Sequence, residues 1–164
     1  MIKPIFQHVL VAVNGSESSI QAAMYAIIMA KVYHSKVKVL YVVDTAAIRQ
    51  LTLTNFLVSD ESQSVENNLV SDGEKTIAYI ESLAKSKGIK IESEIKKGAV
   101  ASEILKTSEE YKANVILLGG KLHSNTASYV HDDIGIETRK ILSNAHCPVM
   151  IVKQYYIEQM FKLA

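Results

Sequence analysis

Cysteine is almost missing: Cys147 stands alone in 164 residues, so no internal disulfide can form and a reducing compartment is the natural setting. Long hydrophobic runs are missing too. None approaches the ~20 residues that cross a bilayer, and Met1-Ile2-Lys3-Pro4-Ile5-Phe6 is too short an apolar stretch for a secretory leader. A cytoplasmic protein with no membrane contact is expected. Charge of one sign is not in excess, with 18 Lys+Arg against 17 Asp+Glu and a net charge of +1, which argues against a nucleic-acid partner. No Walker sequence, Cys-x-x-Cys or His-Glu-x-x-His occurs, nor a Gly-x-Ser-x-Gly elbow around Ser16.

Hydrophobic residues are plentiful at 48 %, enough for the core of one domain. His8-Val9-Leu10-Val11-Ala12-Val13 reads as a strand buried on both faces, ended by Asn14-Gly15-Ser16. Ser16 or its neighbours can cap a helix, and Ile20, Ala23, Met24, Ile27 and Ile28 predict that helix from about Glu17 to Tyr33. Val37 to Val43 is a second strand, stopping at Asp44. Residues 45–59 are mixed, and Ile48, Leu51, Leu53, Phe56 and Leu57 suggest a folded-back flap. Asp60 is expected to cap a long helix with Val65, Leu69, Ile77, Ile80 and Leu83 on one stripe. Gly73 weakens its middle and Gly88 stops it.

Ile89 to Ile95 alternates apolar and polar residues, as a half-exposed strand near a sheet edge does, until Gly98 breaks it. Ser102 to Tyr111 reads as helix with Ile104, Leu105 and Tyr111 inward. Asn114 to Leu118 is a buried strand stopped by Gly119-Gly120. A polar loop from Lys121 to Asp133, a helix from Gly135 to Ala145 and a strand from Val149 to Val152 follow. Strands alternating with helices specify an α/β fold with a parallel sheet and helices on both faces, wound by right-handed crossovers. Residues 1–153 form this domain and 154–164 an amphipathic tail.

Ligands of an open parallel sheet bind at the carboxyl ends of its strands, where strand order reverses. Three such ends are informative: Asn14-Gly15-Ser16, Val42-Val43-Asp44, and Gly119-Gly120 with its loop to Gly135. Glycines and a helix N-terminus there make a phosphate cradle, unless the glycines only turn the chain. His131-Asp132-Asp133, with His123 nearby in sequence, reads as a solvated loop, since three adjacent residues rarely point at one ion; no metal is expected. Cys147, before Pro148 and near a helix C-terminus, reads as buried and inert.

The chain resembles the universal stress protein family over residues 8–153. The resemblance rests on Val11-Ala12-Val13-Asn14-Gly15-Ser16, Leu40-Tyr41-Val42-Val43-Asp44, Gly98 with Ala101-Ser102-Glu103-Ile104, Ala113-Asn114-Val115-Ile116-Leu117-Leu118-Gly119, and Cys147-Pro148-Val149-Met150-Ile151-Val152. It implies strand order 3-2-1-4-5 (Rossmann-like) and a dimer through the fifth strand, Val149 to Val152. Members that bind ATP carry Gly-x-x-Gly, nine residues, then Gly-Ser/Thr after the fourth strand. Here Asn14 replaces an Asp, Leu122 a Gly, and Ile136 the Ser/Thr, and twelve residues separate Leu122 from Gly135. Ala12, Asn14, Val42, Gly119, Gly120, Lys121, Gly135 and Thr138 are the nucleotide-contacting positions so implied, with replacement contacts available from Lys121, His123, Ser124, Asn125 and Thr126.

The resemblance with these departures implies a stress-response regulatory module, not an enzyme, that acts as a homodimer and touches a further protein. Its adenine-nucleotide binding is expected to be weak, altered or absent, with ATP or AMP as the ligand if one is held. Slow ATP hydrolysis is the alternative. An electron-transfer flavoprotein-like or adenylate-forming enzyme ranks last, since no extra domain or pyrophosphate motif is present. An uncovered apolar edge at Val149 to Val152 would template aggregation. A second subunit is expected to cover it, with the tail at the interface; the rival is the tail (Tyr155, Tyr156, Ile157, Met160, Phe161, Leu163) folding back over that edge.

Overall fold

His8–Val13 is β1, and burial explains its composition: Val9, Leu10 and Val11 have no exposed surface. A computed structural model describes residues 2–54, 58–120 and 135–164. After β1 come α1 (Glu17–Tyr33), β2 (Lys36–Asp44), α2 (Thr45–Leu53), α3 (Ser59–Ser86), β3 (Glu92–Gly98) and α4 (Val100–Glu110). Then follow β4 (Val115–Gly119), α5 (Ile136–Asn144), β5 (Val149–Val152) and α6 (Ile157–Leu163). The strands pair in parallel in the order β3-β2-β1-β4-β5, the expected fold.

Alternation along the strands sends Val9, Val11, Val39, Tyr41 and Leu117 to one face, against α1, α3 and α6. Leu10, Leu40, Ile116 and Leu118 go to the other, against α4 and α5. Both faces are covered, which is why the central strands read as continuous apolar runs. α1 starts where Ser16 caps it, its Oγ accepting the Ser19 N–H at 3.2 Å. Buried Ala22, Ala23, Ala26 and Ala30 let α1 lie close to the sheet.

Several expectations are corrected. The stretch after β2 opens with a regular helix, α2, capped by Asp44, whose Oδ1 accepts the Ala47 N–H at 2.9 Å. Ile48 is the one residue of α2 that is buried; Phe56 and Leu57 lie outside the described residues. α3 is preceded by Val58 instead of Asp60, and Glu61 reaches back to accept the Val58 N–H at 3.3 Å. Asp60 and Glu61 both sit in the first turn, where carboxylates complement the helix dipole. α3 runs unbroken through Gly73 despite the helix propensity that glycine costs it, and packing gives the reason for glycine: a Cβ there would lie 2.8 Å from the Tyr41 ring, so its absence lets helix and strand close. Burial, then Asp72, raises the Tyr41 hydroxyl's pKa.

The tail folds back within its own chain, but onto α1. Ile157 and Phe161 are buried in the α1 side of the core. Lys31 Nζ donates to the Ala164 carbonyl, and Lys87 Nζ stands 4.9 Å over the Phe161 ring.

Candidate functional site

The carboxyl ends of β1, β2 and β4 border a cavity of about 260 Å³. β1 and β4 are neighbours, yet β1 passes to α1 on one face and β4 to α5 on the other. Chains diverging in this way open a crevice at the strand ends. Its apolar lining comes from Ala12, Leu40, Val42 and Leu118 of the sheet, with Val100 and Ile104 of α4 and Ile141 of α5. Its polar lining comes from Asn14, Ser16, Ser18 and Ser19 at the start of α1, and Glu137 and Thr138 in the first turn of α5.

The β1–α1 turn is locked by its own side chains. Asn14 Oδ1 accepts the Ser16 N–H at 3.0 Å, and the Asn14 N–H donates to Ser19 Oγ at 3.3 Å. Ser19 Oγ in turn donates to the Ser16 carbonyl at 2.8 Å. Gly15 takes φ +83°, which glycine adopts without strain. One lone pair of the Asn14 oxygen is thus engaged inside the turn, which leaves the other and the NH₂ for a ligand.

Of the other predicted contact positions, the cavity gathers Ala12, Val42, Gly119 and Thr138. Gly119 has a packing reason to be glycine. A Cβ there would come within 2.5 Å of the Ser18 carbonyl carbon and 2.7 Å of the Ser19 nitrogen. Gly120 continues the ladder instead, donating its N–H to the Val152 carbonyl at 3.0 Å. A Cβ on Gly120 would lie 2.6 Å from Ile151 Cγ2, so it is placed against β5 and does not border the cavity. Gly135 precedes α5, and beyond its chain neighbours no atom of the described residues lies within 4 Å of where its Cβ would be; it too is off the lining. Lys121, Leu122, His123, Ser124, Asn125, Thr126 and His131-Asp132-Asp133 lie outside the described residues. Among the described residues no His, Cys, Asp and Glu cluster could hold a metal.

Reading from the sequence misses Glu137. Its Oε2 accepts the Ala101 N–H at 2.9 Å, in the first turn of α4, and its Oε1 accepts from Lys140 Nζ at 3.2 Å. The available signal is its place beside Thr138 in the turn that starts α5. Ile136, where the resemblance puts a hydroxyl, is 72 % exposed. Cys147 is half-buried, short of the full burial expected, and burial pushes its thiol pKa up, away from a reactive thiolate.

The model of the universal stress protein family matches residues 5–153. The chain belongs to the universal stress protein family. A universal stress protein of Methanocaldococcus jannaschii is 27 % identical over 150 residues, covering 92 % of this chain and 84 % of that one. The universal stress protein UspA from Lactobacillus plantarum shares the fold at TM-score 0.72 and 17 % identity, over 92 % of this chain and 100 % of its own. A universal stress protein from Archaeoglobus fulgidus, solved in complex with dAMP, matches at TM-score 0.61 and 17 % identity, over 92 % and 100 % of the two chains. Membership sets aside the flavoprotein-like and adenylate-forming readings. Among the described residues of this universal stress protein, no helix is long and apolar enough to cross a membrane.

Proposed function

We propose that this universal stress protein is a cytoplasmic regulatory module that holds an adenine nucleotide weakly at the β1–β4 crevice. In this reading it acts as a homodimer joined along β5, signals through a further protein partner, and performs no reaction with its own side chains. The observation that carries the nucleotide reading is the cavity that gathers Ala12, Asn14, Val42, Gly119 and Thr138 at one set of strand ends. The dAMP complex of the Archaeoglobus fulgidus relative supports the ligand class. Weakness is supported by Ile136, which offers no hydroxyl; a hydrogen bond to a charged group contributes about 1.5–3 kcal/mol.

The dimer reading is supported by the two sheet edges. β3 carries Glu92, Glu94, Lys96 and Lys97, with Glu94 paired to Lys38 at 2.8 Å and Lys96 to Glu110 at 2.9 Å. Charges of this kind guard an edge. β5 is Val149-Met150-Ile151-Val152, with no charge, and the tail is engaged with α1.

Thermal melting with added AMP or ATP tests the ligand. A ligand at 100 times its dissociation constant stabilises by about 2.7 kcal/mol, so a rise in Tm is expected at millimolar and not at micromolar nucleotide. No rise at either concentration removes the nucleotide reading. Light scattering tests the dimer: the unmodified chain should run as a dimer at high micromolar concentration and Ile151→Lys as monomer or precipitate. A monomeric unmodified chain removes that part.

A further inference from the structure

We infer that Glu137 sets the ligand class of this cavity, so that a nucleoside or its least charged ester binds and polyphosphates are turned away. The inference rests on the adenine-ligand reading above and narrows it. Among the described residues that line the cavity, Glu137 is the one that carries a charge at neutral pH. Its carboxylate is held in place: Oε2 takes the Ala101 N–H at 2.9 Å, and Lys140 reaches Oε1 at 3.2 Å.

That placement fills a position an incoming phosphate would use. The start of α4 borders the cavity through Val100, and the N–H groups of a helix start are natural partners for an anion. The protein's own carboxylate has taken one of them. The start of α5 also borders the cavity, through Glu137 and Thr138. Glu137 thus belongs to the first turn of α5 and bonds the first turn of α4, so one acidic side chain stands between the two helix starts that border the cavity. Lys140, which pairs with it, does not border the cavity; its side chain is 57 % exposed and that of Glu137 43 %, so solvent weakens the pair and also shortens the carboxylate's reach.

A carboxylate repels phosphate but welcomes sugar hydroxyls, which donate to its remaining lone pairs. Asn14 offers an NH₂ and Thr138 a hydroxyl, both able to meet uncharged polar atoms. The volume of about 260 Å³ lies just below the ~300–1,000 Å³ usual for ligand pockets, on the scale of a nucleoside.

The test is calorimetric titration of adenosine, AMP and ATP into the full chain, with chelator present, for the unmodified protein, Glu137→Gln and Lys140→Gln. Glutamine keeps an oxygen for the Ala101 N–H while removing the charge. The unmodified chain should bind adenosine at least ten-fold more tightly than ATP, with AMP between them. Glu137→Gln should tighten ATP about ten-fold and move adenosine by less than three-fold. Lys140→Gln, which strips the partner from the carboxylate, should weaken ATP further by about two-fold, and it keeps the test open if Glu137→Gln unfolds. ATP binding as tightly as adenosine, or both ligands shifting equally in Glu137→Gln, overturns the inference and leaves the adenine reading standing. Failure of all three ligands to bind at millimolar concentration overturns that reading and the inference together.

Discussion

A methyl group added at Gly119 would sit 2.5 Å from the backbone of Ser18, whereas one added at Gly135 would meet none of the described residues within 4 Å. Both glycines lie on the passage from β4 to α5, and the family motif treats both as parts of one phosphate cradle. Their surroundings assign them different work. Gly119 lets the end of β4 lie against the first turn of α1, so it fixes the wall of the cavity before any ligand arrives. Gly135 precedes α5 clear of the other described residues, with φ −60° and ψ 160°, a conformation open to any residue. A glycine forced by packing is a statement about the fold, and a glycine left free is the one that a ligand has to justify.

The largest expected effect follows from the first half of this contrast. Gly119→Ala places a carbon against backbone atoms of Ser18 and Ser19, which no rotamer change can relieve. Overpacking typically costs about 1–3 kcal/mol, and this site should reach about 3 kcal/mol or more in urea unfolding. A loss under about 1 kcal/mol would mean that α1 has slack and that the contrast is false. For the same reason a Gly119→Val titration cannot by itself locate the ligand, because the wall would move before the ligand could report.

Gly73→Ala should fall between the two. The new carbon meets the ring of Tyr41 at 2.8 Å, and a ring can shift where backbone cannot. Alanine returns about 1 kcal/mol of helix propensity to α3, against an overpacking cost of about 2–3 kcal/mol. A net loss of about 1–2 kcal/mol is expected. A loss exceeding that of Gly119→Ala would reverse the ranking of backbone over side-chain contact.

The sequence makes β1, α1 and β5 legible because each announces itself locally. β1 is apolar until Asn14-Gly15, α1 has Ser16 as a cap and a long run that is apolar on most of its circumference, and β5 is four apolar residues after Cys147-Pro148. The parallel sheet follows from that alternation, and its strand order from the family resemblance. The purposes of Gly73 and Gly119 are not legible, since Tyr41 and Ser18 are distant in sequence and meet them only in the fold. α2 escapes because it buries one residue, Ile48. Glu137 escapes because the motif directs attention to Gly135, Ile136 and Thr138, and its partner Ala101 lies on another helix. Gly120, a glycine beside the site by number, puts its N–H into the β4–β5 ladder, a use that only the fold displays.

The smallest expected effect tests the free half of the contrast. In Gly135→Ser the new Cβ meets none of the described residues, and the backbone is one that serine can adopt. Serine caps a helix better than glycine by a few tenths of a kcal/mol, and replacing glycine also lowers the entropy of the unfolded chain. A gain of about 0.5 kcal/mol is expected, a rise of about 1–2 °C in Tm for a chain of this size. ATP affinity, measured on the same protein, should stay within about three-fold, because a site that Glu137 already guards makes no use of close phosphate approach at Gly135. Tm rising while ATP affinity holds keeps Gly135 a helix cap and nothing more. Tm holding while ATP affinity falls about ten-fold would show that a phosphate lies against Gly135 after all. Ligand approach, and not open space, would then be the reason for glycine there, and the exclusion assigned to Glu137 would have to be abandoned with it.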